Sequence, residues 1–84
     1  MIGNVVISKA GRDKGRCFAV IGQISSEYLL ISDGSTHTVG KPKKKKLAHL
    51  EVTELFLHEV ETLVKENALT DEKLSEAIRR DCSA

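Results

Sequence analysis

Four cations and two glycines crowd into one short segment of this chain, "SKAGRDKGR" at residues 8–16. Glycine permits positive φ angles and lets the backbone approach a phosphate closely. Lysine and arginine donate charge-assisted hydrogen bonds to the phosphate oxygens. The segment is typical either of a phosphate-binding loop or of a plain solvated turn. Asp13 favours the turn, because its carboxylate can cap a turn and would repel phosphate. The candidate phosphate-binding residues are Lys9, Gly11, Arg12, Lys14, Gly15 and Arg16.

A second cationic segment follows at residues 41–46, "KPKKKK". Its lysines repel one another, so the segment could be an extended solvated linker or resemble a nuclear-localisation signal. Combined with the first segment, it would offer a polyanion up to nine cations. If roughly six to eight of them met phosphates, affinity would fall with salt at a log–log slope of roughly −4 to −7. The candidate residues here are Lys41, Lys43, Lys44, Lys45 and Lys46.

Catalytic and metal-binding patterns are weak in this sequence. The phosphate-loop signature G-x-x-x-x-G-K-[ST] does not occur, and no serine lies in a nucleophile-elbow motif. Glu54, His58 and Glu61 would share one face of a helix and could hold a metal, but a solvated polar face explains them more simply. His37 and His49 have no acid or nucleophile at a recognisable spacing. We therefore expect a protein that is not an enzyme and needs neither a metal nor a cofactor.

Charge is divided unequally along the 84 residues. Residues 1–50 hold nine basic and three acidic side chains, whereas residues 51–84 hold four basic and nine acidic ones, for a net charge of +1. This division is typical of a polyanion-binding module with an acidic tail. Cys17 lies in an apolar run and is expected to be a small buried side chain, and Cys82 is far from it in sequence. With no signal-peptide pattern and no run of membrane-spanning length, the expected location is the cytoplasm.

Short apolar runs separated by turn signals predict the elements that position these cations. "VVIS" at 5–8, "CFAVIGQI" at 17–24 and "EYLLIS" at 27–32 are typical of strands, and Asp33-Gly34 predicts a hairpin leading to a strand at 35–39. Strands at this spacing predict a small barrel. We expect two domains: the barrel with its basic strap at 1–50 and an acidic helical tail at 51–84.

The apolar spacing changes after residue 50. Val52, Phe56, Val60 and Leu63 recur at helical spacing, which predicts a helix with Thr53 as its cap and its end near Asn67. A second, shorter helix is expected to begin after Thr70 and to end at Arg79-Arg80, with Leu74, Ala77 and Ile78 facing inward.

The segment "GNVVISKAGRDKGRCFAVI" at residues 3–21 resembles the KOW motif. Residues 1–50, with "YLLISDG" and "KPKKKKLAHL", are similar to small KOW-domain RNA-binding proteins related to eukaryote-type large-subunit ribosomal proteins. This resemblance implies an SH3-like barrel of about five strands that binds RNA, with ribosomal RNA as the expected target. It adds His49 to the candidate RNA-binding residues named above. After Asp33-Gly34 the family pattern expects basic residues, and this chain offers only His37.

The chain is poor in aromatic residues, with Tyr28 the one candidate for stacking on a base. Recognition would then depend on RNA backbone and shape, which favours structured RNA. We expect a non-enzymatic RNA-binding protein of the cytoplasm that acts in translation. The alternative is an SH3-like protein-interaction module whose acidic helices recruit a protein partner or dimerise.

Overall fold

A computed structural model describes residues 1–82. Five strands come first, followed by two helices, and a single turn of 3-10 helix (Leu47–His49) separates the last two strands. The strands are β1 (Asn4–Ser8), β2 (Cys17–Gln23), β3 (Tyr28–Ser32), β4 (Lys43–Lys46) and β5 (Leu50–Phe56), and the helices are α1 (His58–Lys65) and α2 (Asp71–Asp81). No helix in this described part is both long and apolar enough to cross a bilayer.

The strands form one antiparallel sheet in the order β4-β3-β2-β1-β5. Neighbouring residues of a strand point to opposite faces, and Val5 and Val6 are both fully buried, so both faces of the sheet are covered. The inner face encloses one core cluster, made of Val6, Phe18, Val20, Leu29, Ile31 and Leu50. The expected mostly-β fold, a small barrel followed by helices, is confirmed.

The helices cover the other face of the sheet. Val5 and Ala19 form a second core cluster with Val60 of α1 and Leu74 of α2. Ala77 and Ile78 are buried there as well, as the sequence predicted for the inward side of the second helix. The helix starts as expected, since the Lys73 amide donates to the Thr70 hydroxyl at 3.2 Å. The helices therefore complete the core of the barrel.

The predicted helix over residues 52–56 is wrong. Residues 50–56 form β5, which pairs with β1, and the helix begins only at His58. Thr53 does not cap a helix, because its hydroxyl donates to the Val5 carbonyl at 2.7 Å. A spacing of four residues lies on one face in a strand as well as in a helix, so Val52 and Phe56 fit both periods. The sheet thus uses residues on both sides of position 50. Residues 83 and 84 of the expected tail lie outside the described residues.

The predicted strand over residues 35–39 is also wrong, and the fourth strand is formed by the lysines of residues 43–46. Residues 33–37 instead make a compact turn in which the Asp33 carboxylate accepts from the amides of Ser35 and His37, at 2.9 and 3.0 Å. These local bonds compete with strand pairing. Lysine is a poor strand former, yet it is well suited to an edge strand such as β4.

The sequence predicts a small buried side chain at Cys17, whereas the structure shows it only partly buried and in a disulfide. Cys17 forms a disulfide with Cys82, across 65 residues of sequence and 6.7 Å between Cα atoms. The bond joins the start of β2 to the end of α2. Sequence spacing could not predict it, because only the docking of α2 on the sheet brings the two residues together.

Candidate nucleic-acid interface

The basic loop, residues 9–16, joins β1 to β2. Gly11 and Gly15 have φ angles of +79° and +87°, the left-handed region that favours glycine. The Gly15 amide donates to the Ser8 carbonyl at 2.8 Å, and the Arg16 amide donates to the Asp13 carbonyl at 2.9 Å. A Cβ atom added at Gly15 would have no neighbour within 4 Å. The glycines thus shape the turn, and the loop backbone at Gly15 is open to a ligand.

The lysines of β4 divide between the two faces of this edge strand. The Lys45 ammonium donates to the Ala10 carbonyl at 3.2 Å, which brings this side chain onto the basic loop. Lys43 lies on the same face as Lys45, because alternate residues of a strand share a face. Lys44 lies on the opposite face, with its ammonium 4.6 Å from the centre of the Tyr28 ring. By the same alternation, Lys46 faces away from the loop.

Cations of the loop and of β4 surround one groove of about 480 Å³. We call it the basic groove. It brings together two separate segments of the sequence, together with the turn at residues 33–37. The groove is lined by Gly11, Arg12, Asp13, Arg16, Thr36, His37, Lys43 and Lys45.

A hydrogen bond of 2.8 Å between His37 Nε2 and Asp13 Oδ2 joins the basic loop to the neighbouring turn. This bond lowers the pKa of Asp13, and the charges of His37, Lys43 and Arg16 lower it too, while burial acts in the opposite direction. Only 13% of the Asp13 side chain is exposed. The carboxylate is therefore engaged with cations and His37, and it holds the loop in place.

Arg16 is oriented by the same turn. One guanidinium nitrogen donates to the Thr36 hydroxyl at 2.9 Å and lies 3.9 Å from an Asp13 oxygen. The sequence pointed to His37 only as a weak substitute for a basic residue, and it did not indicate Thr36. The Asp33-Gly34 signal did predict a tight turn nearby, but only the fold shows that this turn lies beside residues 9–16.

The other predicted residues lie around the basic groove without lining it. The Lys9 amide donates to the His49 carbonyl at 2.9 Å, so the backbone brings His49 next to the loop. Lys9, Lys14 and His49 are exposed. Lys41 is exposed at the end of the preceding turn, where its amide donates to the Thr38 carbonyl. Lys44 and Lys46 are the two candidates that lie on the face of β4 opposite to the basic groove.

The metal-binding alternative finds no support in the geometry. Glu54 lies on β5, whereas His58 and Glu61 lie on α1, so the three do not share a helix face. Residues 1–82 contain no cluster of three histidine, cysteine, aspartate or glutamate side chains that could hold a metal ion.

Fold and groove together define a small β-barrel protein with a cation-lined groove at the edge of its sheet. No family model matches the chain. Over 78 residues it is 30% identical to the large ribosomal subunit protein eL14 of Desulfurococcus amylolyticus, a match that covers 83% of this chain and 81% of the relative. The chain belongs to the family of this ribosomal protein.

Proposed function

We propose that this protein binds structured RNA through backbone phosphates and that it does so as part of, or attached to, the large ribosomal subunit. The observation that carries the proposal is the basic groove, in which Arg12 and Arg16 of the loop meet Lys43 and Lys45 of β4. Convergent cations on a fixed scaffold are suited to a polyanion. The name of the eL14 relative supports the ribosome as the source of that RNA.

Recognition by backbone and shape follows from the composition of the groove. Its lining holds flexible cations, a threonine hydroxyl and a histidine, but no Phe, Tyr or Trp on which a base could stack. The single tyrosine, Tyr28, lies under Lys44 on the other face of β4. We therefore expect the protein to prefer folded RNA to an unstructured strand, with little dependence on base sequence.

The protein-interaction alternative has less support. The acidic helices that would recruit a partner use apolar residues inside the molecule, since Val60, Leu74 and Ala77 are buried against the sheet. Core completion accounts for these residues without a partner.

The first prediction concerns salt. A fluorescein-labelled RNA hairpin should bind the protein with a log–log salt slope of roughly −4 to −5.5 between about 50 and about 200 mM salt, if about six cations meet phosphates. An unstructured RNA of the same length should bind more weakly. Fluorescence anisotropy measures the binding. No binding at low salt, or an affinity that does not change with salt, would refute the proposal.

Two double charge reversals, one in the basic groove and one on the helices, test whether the position of the cations matters for RNA binding. Arg12→Glu with Lys43→Glu should weaken binding by roughly tenfold or more, because two phosphate contacts become repulsive. Lys65→Glu with Lys73→Glu makes the same change of net charge on the helices and should weaken it much less. Equal losses in the two double variants would mean that only overall charge matters.

A further inference from the structure

A second groove lies on the other side of Arg16, between the basic loop and the C-terminal half of α2. It encloses about 330 Å³, and its lining includes Gly15, Arg16, Asp33 and Arg79. We call it the α2 groove. Arg16 lines both grooves, so the two lie next to each other.

The two arginines at the end of α2, Arg79 and Arg80, differ in whether they form ion pairs. Arg80 forms ion pairs with Glu59 and Asp81, which raise its pKa further above its ordinary value. Arg79 forms no ion pair with any carboxylate of residues 1–82 and is exposed. Its charge is therefore available to a ligand, whereas that of Arg80 is engaged.

The disulfide keeps Arg79 beside the basic loop. Cys17 directly follows Arg16, and Cys82 lies three residues after Arg79, on the same side of the helix. The disulfide thus links the segment that contains Arg16 to the end of α2 that contains Arg79.

The acidic groups near the groove are mostly engaged. The Asp33 carboxylate accepts from two backbone amides of its own turn, and the Asp13 carboxylate is bound to His37. Glu76 lies one helical turn before Arg79 and is exposed. The last carbonyls of α2 carry a partial negative charge, which the arginines of the last turn offset.

We propose that the α2 groove is a second phosphate-binding site, in which Arg79 joins Arg16 in binding the RNA backbone. This inference rests on the proposed function and extends RNA binding to α2. The acidic composition of residues 51–84 had argued against RNA binding in that part of the chain. The RNA would follow the basic groove past Arg16 and continue toward α2. A purely structural role for Arg79, at the negative end of the helix dipole, is the competing explanation.

Neighbouring alanine variants separate these explanations. Arg79→Ala should weaken binding of the labelled hairpin by about threefold to tenfold and reduce the salt slope by about 0.7 to 0.9, since one phosphate contact is lost. Arg80→Ala removes the same charge from the same turn and should leave affinity within about twofold. Equal affinities in the two variants would overturn the proposal. If the wild-type protein itself failed to bind RNA, the proposed function would fail with it.

A measurement on the unaltered protein avoids any effect of substitution on folding. Phenylglyoxal modifies exposed arginines, and mass spectrometry reports the modified sites. Bound hairpin RNA should protect Arg79 together with Arg12 and Arg16, and it should not protect Arg80. Modification of Arg79 at the same rate with and without RNA, while Arg12 is protected, would overturn the second site and leave the proposed function standing.

The tether can be tested separately. Cys82→Ser should reproduce most of the affinity loss of Arg79→Ala, and adding Arg79→Ala to Cys82→Ser should then cause little further loss. Fully additive losses would show that Arg79 does not depend on the disulfide for its position.

Discussion

Asp13 lies in the middle of the basic loop, where a free carboxylate would repel phosphate. Its neighbours explain its presence, because the carboxylate binds His37 at 2.8 Å and lies 3.9 Å from Arg16. Asp13 thereby links the loop to the turn that also orients Arg16 through Thr36. A negative charge within a cationic loop acts here as a positioning group that fixes the loop against its neighbour.

At the residue scale, the lowered pKa of Asp13 predicts a pH dependence of stability. Asp13 is protonated less readily in the folded chain than in the unfolded chain. Its contribution to the free energy of unfolding is therefore fully present above the ordinary pKa of 3.8, and it is lost as the pH falls through the lowered pKa of the folded chain. Asp13→Asn should lower the free energy of unfolding by about 1 to 2 kcal/mol at neutral pH. Urea unfolding should show this difference shrinking below pH 3.8.

The exposed Glu27 supplies the control for this measurement. Glu27→Gln should leave the free energy of unfolding close to that of the wild-type protein at every pH. A cost of Asp13→Asn that stays constant down to acid pH would contradict the link between the His37 bond and stability.

Between elements, one contact that helps to position α2, beside its buried apolar residues and the disulfide, is the one its first turn makes with the turn at residues 33–39. The Val39 amide donates to the Asp71 carboxylate at 2.7 Å. Gly34 has a φ angle of +76°, and a Cβ atom there would clash with the Asp71 carbonyl oxygen. The Asp33-Gly34 pair therefore provides a close packing site for the helix. It does not form a hairpin between strands.

Gly34→Ala tests this contact at the element scale. The substitution strains a positive φ and forces α2 away from the turn, so it should lower the free energy of unfolding by about 2 to 4 kcal/mol. Gly15→Ala is the matched control, because it adds the same methyl group at a φ angle of +87° where no atom lies within 4 Å, and it should cost only about 1 to 2 kcal/mol. Thermal unfolding of both variants, followed by circular dichroism, measures the difference. Similar midpoints would mean that the helix does not dock as described.

Across the whole molecule, the basic and acidic residues lie in different parts, and the disulfide joins those parts. The cations concentrate at the basic loop and β4, and most of the carboxylates lie on β5, α1 and α2. The disulfide nevertheless joins the basic part to the last helix across 65 residues. Barrel and helices thus form one body, in which the acidic helices also support the cationic surface.

The disulfide predicts a cost to the stability of the whole chain. Replacing both Cys17 and Cys82 by serine should lower the free energy of unfolding by about 2 to 4 kcal/mol, since the unfolded chain loses a long closed loop. The sheet should persist, because the core residues Val5, Val60 and Leu74 still pack together. Urea unfolding and circular dichroism would measure both effects. An unchanged free energy of unfolding would show that the bond does not constrain the chain.

Most of the sheet could be predicted from the sequence, because β1, β2 and β3 are short apolar runs bounded by turn signals. The two strands that were missed lack this pattern. β4 consists of four lysines, and β5 carries apolar residues at a spacing that a helix shares. Both segments become strands because they pair with a neighbouring strand, and no local property of either segment predicts this pairing.

Sequence alone determined the cationic segments, the glycines that turn the first of them and the second helix with its Thr70 cap, because these depend on residue type and short-range spacing. Tertiary structure alone decided which lysines face the loop, that Asp13 binds His37, and that Cys17 meets Cys82. Those facts depend on strand alternation and on contacts between residues distant in the chain. For the same reason, Arg79 could be recognised as a candidate only after α2 was seen beside the basic loop.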